Sequence, residues 1–137
     1  MPTSGFAQNS ASPIASKVRT PPQGSPERRA LLDAMRAKLK IKSRFQVAHL
    51  MTDGQTAFFE GTEVVEAEGE LQETDLSVLA LLELKTSSGK ERWEVADLWT
   101  LNMPEEDARK NFVARIRKRV NAGTVPRKLL PDDLLDE

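Results

Sequence analysis

The stretch that decides the fold is DLSVLALLELKTSSGKERWEVADLWTL, residues 75–101. In its first eleven residues, both sets of alternating positions contain apolar side chains. This pattern is typical of a central strand covered on both faces. One predicted face carries Leu76, Val78, Ala80, Leu82 and Leu84, and the other carries Leu79 and Leu81. The group TSSGK predicts a turn, and ERWEVADLWTL predicts a strand that returns beside the first.

The returning strand has one residue out of pattern. In strict alternation Asp97 shares a face with Trp93 and Trp99, so a carboxylate interrupts an apolar row. His49, the only histidine of the chain, likewise interrupts the apolar row of the run RFQVAHLMT, residues 44–52. In strict alternation it shares a face with Phe45, Val47 and Met51. Strict alternation therefore predicts that His49 and Asp97 both point inward.

Two interpretations of this pattern remain open. If the strands alternate strictly, His49 and Asp97 form a base with its orienting carboxylate inside a cavity, and the two tryptophans line a ligand pocket. If bulges occur near Ala48 and Ala96, both polar side chains turn away, and Leu50 and Leu98 replace them in the apolar rows. Sheets that bend over a helix commonly contain such bulges.

Upstream, SPERRALLDAMRAKLK, residues 25–40, predicts an amphipathic helix. Ser25 is a favourable N-cap and Pro26 suits the first helical position. The apolar stripe consists of Leu31, Leu32, Met35 and Leu39. Farther along, Asp53-Gly54 between two β-rich runs predicts a hairpin with a type I′ turn, and VEAEGELQETD, residues 65–75, indicates an acidic irregular loop.

Downstream, NMPEEDARKNFVARIRKRVNAG, residues 102–123, predicts a second, long helix. Pro104 and the acidic residues after it mark the start, and Gly123 marks the end. Its apolar side consists of Ala108, Phe112, Ile116 and Val120.

The predicted order is α-β-β-β-β-α, an α+β fold. The N-terminal helix packs on a curved four-stranded antiparallel sheet in two layers, and a long C-terminal helix follows. Residues 1–24, rich in Ser, Pro, Ala and Gly, are predicted to be a disordered tail or linker. Residues 25–123 form one domain. Residues 124–137 are a C-terminal tail that either lies across the domain or remains loose.

Composition limits the possible functions. The net charge is −1, so global charge favours neither nucleic acid nor a membrane surface. There is no cysteine and no apolar run that approaches a membrane span. We find no cofactor-binding or metal-binding motif, and we expect no cofactor and no metal site. Charge is nevertheless segregated: residues 1–50 carry a net +7 and residues 51–101 a net −9.

Five short motifs resemble a group of small exported bacterial proteins. They are SPERRALLDAMR, FQVAHL, DGQTAFFEGT, SVLALLEL and ERWEVADL, and together they cover about residues 25–100. The resemblance implies a cystatin-like or NTF2-like fold and a periplasmic or secreted location, with the cytoplasm as the alternative. It implies no particular biochemical activity. The chain departs from the group at Gln55-Thr56, where an Asp-Trp pair is usual, and in its basic C-terminal helix.

The hypothesis that follows is a non-enzymatic protein-interaction domain, such as an inhibitor, an immunity protein or an accessory protein of envelope assembly. Charge segregation steers protein partners. The predicted partner-binding residues are Glu66, Glu68, Glu70, Arg115, Lys118 and Arg119. The alternative is a small NTF2-like cavity enzyme or ligand binder, with a site formed by His49, Trp93, Asp97 and Trp99. The sequence leaves the oligomeric state open.

Overall fold

The computed structural model describes residues 18–136. The main elements of this part are α1 (Pro26–Leu39), β1 (Arg44–Thr52), β2 (Thr56–Ala67), β3 (Glu70–Ser87), β4 (Lys90–Thr100) and α2 (Ala108–Asn121). The strands form one antiparallel sheet in the order β1-β2-β3-β4. The predicted α+β class and the four-stranded antiparallel sheet are confirmed.

Helices cover both faces of the sheet, so the domain has three layers rather than the two predicted. Leu31 and Met35 of α1 pack on one face, and Phe112 and Ile116 of α2 pack on the other. The α1 side of the sheet contributes Leu50, Ala57, Phe59, Val78, Ala80, Leu82 and Trp93. The α2 side contributes Phe58, Leu79, Leu81 and Trp99. The double apolar parity of β3 is thus explained, because each parity contacts a different helix.

The ends of α1 match its sequence signals. The Ser25 hydroxyl accepts a hydrogen bond from the Arg28 backbone N–H at 3.2 Å, and Pro26 is the first helical residue. Lys40 ends the helix in the left-handed conformation, with φ of 59°.

The second helix is shorter than predicted. It covers 14 residues, the same number as α1, and Pro104 and the acidic residues that follow it lie before its first turn. The chain after α2 packs on the sheet: Val125, Leu129, Leu130 and Leu134 are all buried in the α2-side core. Hydrocarbon burial therefore holds residues 124–136 across the domain, and of the two alternatives for this segment the structure shows the docked one.

The predicted N-terminal linker is only partly described. Residues 1–17 lie outside the described residues. Arg19 forms an antiparallel bridge to Thr52, with N···O distances of 2.9 and 2.8 Å, and its guanidinium contacts Glu27 at 2.7 Å. Pro21 is buried. Because Val18, Arg19 and Pro21 contact the domain, this part of the predicted linker is not free. Pro21 and Pro22 have no N–H to extend the ladder.

The predicted acidic loop is wrong, because the chain forms a hairpin there. β2 runs to Ala67 and β3 begins at Glu70, and Glu68 and Gly69 have φ of 55° and 82°. Two consecutive positive φ values define a type I′ turn. At the predicted type I′ position, Asp53-Gly54, the hairpin exists, but only Gly54 has a positive φ.

Candidate functional site

His49 is turned by a bulge at Ala48. The pairing of β1 with β2 shifts between Val47 and His49, which moves Leu50 into the α1-side core and His49 to the α2 face. There the ring lies 6.2 Å from the ring of Phe58. Its Nε2 lies 2.6 Å from the Leu129 carbonyl oxygen. Because a carbonyl only accepts, Nε2 carries the proton and donates it to this bond. His49 thus connects β1 to the C-terminal segment.

Asp97 is turned by a bulge at Ala96, where the pairing of β3 with β4 shifts between Leu81 and Leu82. Leu98 joins the α1-side core, and Asp97 faces α2. Its carboxylate accepts two hydrogen bonds of 2.9 Å from the Arg115 guanidinium and one of 2.9 Å from the Leu98 backbone N–H. The Asp97 side chain is 11% exposed and that of Arg115 is 51% exposed. The hydrogen bond to Asp97 raises the pKa of Arg115 above its ordinary value.

The structure does not bring His49 and Asp97 together. They lie on β1 and β4, the two edge strands of the sheet. Three strand spacings of about 4.8 Å place their backbones about 14 Å apart. Buried side chains of Phe58 and Leu81 belong to the strands between them. The geometry that the cavity hypothesis requires is therefore missing, since each polar side chain has its own partner.

We expect Asp97→Ala to lower the free energy of unfolding by about 1–2 kcal/mol, because the charge-assisted pair with Arg115 and the acceptor for the Leu98 backbone N–H are lost together. The estimate stays at the low end because Arg115 is half exposed. Chemical denaturation measures the effect. A matched control is Asp33→Ala, which removes the ion pair between Asp33 and Arg36. The Asp33 side chain is 63% exposed, so this pair should contribute less. Equal effects for the two variants would contradict a special role of Asp97.

The two tryptophans lie on opposite faces of the sheet. Trp93 packs on the α1 side and Trp99 on the α2 side, because the Ala96 bulge reverses the alternation between them. The Arg109 guanidinium covers the Trp99 ring at 4.9 Å. The four residues of the predicted ligand site therefore do not line one pocket.

The predicted basic partner-binding residues lie along α2, and two of them have acidic partners within the domain. Arg115 binds Asp97, and Arg119 lies 3.4 Å from a Glu83 carboxylate oxygen. Lys118 is exposed. All three line a groove of about 350 Å³ beside Ala122 and Thr124. Two of the six positive charges on this helix are therefore paired with carboxylates of the sheet.

The predicted acidic residues lie elsewhere, on a hairpin that we call the acidic arm, residues 63–75. This segment contains six acidic residues and no basic one. β1 reaches no farther than Val64, and β4 ends at Thr100 opposite Val78. Within the described residues, the strands beyond these points pair only with each other. The arm therefore projects past both neighbours as a two-stranded ribbon.

The strand pairing is irregular at the base of the arm. The pairing of β2 with β3 shifts between Thr62 and Val64, and Glu63 lies at this irregularity. The Glu63 carboxylate accepts hydrogen bonds from the hydroxyls of Ser43 and Thr74. The Thr74 hydroxyl also accepts the backbone N–H of Leu76 at 3.0 Å. These bonds connect the base of the arm to Ser43, the residue before β1, and join its two strands.

The arm also exposes apolar side chains. Leu71 is 58% exposed and Val65 is 37% exposed. A groove of about 480 Å³ between the arm and the start of β1 is lined by Lys42, Ser43, Arg44, Val64, Val65, Glu66 and Leu71. Sequence reasoning identified the acidic residues but missed the hairpin. The signal for this hairpin was Gly69, because apolar and polar residues alternate on both sides of it.

The acidic and basic groups form two separate surfaces. Glu83, the partner of Arg119, lies thirteen residues from Glu70 along β3. At about 3.3 Å per residue, this corresponds to up to about 40 Å. The tip of the arm and the Arg119 pair therefore lie toward opposite ends of β3.

Within residues 18–136, no three His, Asp or Glu side chains lie close enough to hold a metal ion together. No helix in this part of the chain is long and apolar enough to cross a membrane. Comparison with known proteins gives no match: no family model, no curated protein and no solved structure matches the chain.

Proposed function

We propose that this protein is a non-enzymatic protein-interaction domain that recognises its partner through the acidic arm. The observation that carries the proposal is the arm itself, a two-stranded ribbon that extends past β1 and β4 and exposes Leu71 and Val65 among six carboxylates. A ribbon without a third strand or a covering helix gains little stability from its own packing. An exposed apolar patch rimmed by charge is a common feature of protein-binding surfaces.

The chemistry of the arm specifies the partner class. Carboxylates on both strands favour a basic segment and repel acidic ones. The outer edge of β3 from Leu71 to Glu73 has no strand opposite it within the described residues. An extended basic peptide that pairs along this edge would gain backbone hydrogen bonds, charge pairs and a contact with Leu71.

The wider proposal concerns the kind of protein. A cystatin-like or NTF2-like module outside the cytoplasm, acting as an inhibitor, an immunity protein or an accessory protein of envelope assembly, is compatible with a rigid domain that presents one projecting hairpin. The resemblance of the sequence motifs supports this part of the proposal. The arm supports the interaction function independently of that resemblance.

The test is photo-cross-linking in the native host. A benzophenone amino acid replaces Leu71 on the arm, and we expect it to yield a discrete adduct whose partner is identified by mass spectrometry. Adding the charge reversals Glu66→Lys, Glu68→Lys and Glu70→Lys should reduce the adduct at least tenfold, because attraction becomes repulsion at three positions.

The control reverses three exposed carboxylates elsewhere, at Glu105, Glu106 and Asp132, with the same change in net charge. This variant should retain the adduct. A second control places the photo-reactive residue at the exposed Lys128. Equal adducts from positions 71 and 128, or equal loss in both charge variants, would contradict recognition by the arm.

A further inference from the structure

β4 is an edge strand with an open side. It pairs with β3 along one edge, and within residues 18–136 no strand pairs with the other. Unpaired backbone N–H and C=O groups along such an edge are a template for another strand. Beside this edge, a groove of about 680 Å³ separates β4 from α1.

Small and charged side chains line this groove. α1 contributes Ala30, Ala34 and Ala37 together with Asp33 and Lys38, and β4 contributes Trp93 and Val95 together with Glu91, Arg92 and Glu94. Alanine side chains allow another backbone or helix to approach closely. A strand added to β4 would continue the sheet beneath this groove.

Two charged residues of β4 stand directly opposite like charges on β3. Arg92 stands opposite Lys85, and Glu94 stands opposite Glu83. Like charges directly opposite each other on antiparallel strands are destabilising. Arg92 and Glu94 contact each other along the strand at 2.7 Å, and their side chains remain 76% and 43% exposed. No opposite charge therefore stands directly across from Arg92 or Glu94 on β3, where Lys85 and Glu83 pair with each other at 3.0 Å.

A second copy of the chain supplies these neighbours. In an antiparallel pair of two β4 strands centred on Trp93, Glu94 of one protomer falls opposite Arg92 of the other, and the reverse holds by symmetry. Trp93 then faces its own copy on the α1 side, where it packs in each protomer. A two-fold axis perpendicular to the sheet also places both α1 helices on the same face, with their alanine surfaces toward the axis.

We propose that this protein forms a homodimer through antiparallel pairing of β4 with β4 of a second copy, which joins two sheets into one of eight strands. The interface is isologous, so one charge pair occurs twice. This inference goes beyond the proposed function, because it uses a different edge of the sheet from the acidic arm.

The test is the mass of the full chain in solution, measured by sedimentation equilibrium over a concentration series. We expect a species of twice the protomer mass of 15.3 kDa. Arg92→Glu or Glu94→Arg alone places like charges opposite each other at both symmetric positions and should raise the dimer Kd about tenfold or more. The double variant Arg92→Glu with Glu94→Arg restores both opposite-charge pairs and should dimerise like the original chain.

A control, Glu105→Arg, changes an exposed charge away from the edge and should leave the dimer intact. A single protomer mass at all concentrations would overturn the proposal, and so would a folded double variant that stays monomeric. Loss of the dimer leaves the cross-link at Leu71 unaffected, and loss of that cross-link leaves the dimer unaffected, so the two proposals fail separately.

Discussion

Phe59→Ala is expected to lower the free energy of unfolding by about 3–5 kcal/mol, the range for truncating a buried aromatic side chain. Phe59 is fully buried between β2 and α1, and its ring meets that of Phe45 edge to face at 5.0 Å. The ring also lies over Gly61: a Cβ added there would stand 2.5 Å from the Phe59 Cζ atom. Sheet pairing fixes the backbone around the Phe59 ring. The neighbouring residues can therefore move little to fill the cavity that Phe59→Ala would leave.

Urea unfolding followed by tryptophan fluorescence measures this effect. The graded control is Phe59→Leu, which retains most of the volume and should lose only about 1–2 kcal/mol. A loss below about 1 kcal/mol for Phe59→Ala would mean that the α1-side core is not packed as described, since such a value is typical of surface substitutions.

Leu129→Ala should lower the free energy of unfolding by about 2–5 kcal/mol, the range for a buried leucine. Leu129 is fully buried in the α2-side core, although it lies only eight positions from the end of the chain. Its carbonyl oxygen accepts the hydrogen bond from His49, so a shift of this segment also disturbs β1. The measurement tests directly whether residues 124–136 are a structural part of the domain.

Lys128→Ala is the matched control, because the neighbouring side chain is exposed. It should change stability by less than about 0.5 kcal/mol. If Leu129→Ala were as harmless as Lys128→Ala, the C-terminal segment would be loose in solution, and the prediction of a loose tail would hold instead.

The candidate site shows where local pattern stops being informative. One of the two alternatives predicted for His49 and Asp97 was a bulge near Ala48 and near Ala96. The pairing registers confirm both bulges. The sequence could not show where the side chains go after the bulge. The bulge interpretation only turned both side chains away from the apolar rows, whereas in the structure His49 bonds to the Leu129 carbonyl and Asp97 to Arg115. Both partners are distant in sequence, and no local pattern encodes them.

The acidic arm was missed for a related reason. Acidic residues dominate residues 65–75, so the segment resembled a loop in composition although Val65, Ala67 and Leu71 alternate with polar residues. Strand formation there depends on the type I′ turn at Glu68-Gly69 and on pairing continued from the buried part of β2 and β3. Cooperative extension of a ladder from the core is a tertiary effect.

The sequence by itself determined the two helices, the four antiparallel strands and the double burial of β3, because periodicity and capping are set by residues that are close along the chain. Only the tertiary structure decided that α2 and residues 124–136 cover the second face, that His49 and Asp97 lie at opposite edges, and that an acidic ribbon projects beyond the sheet. These outcomes depend on which apolar surfaces meet and where neighbouring strands end, and such contacts join residues far apart in sequence.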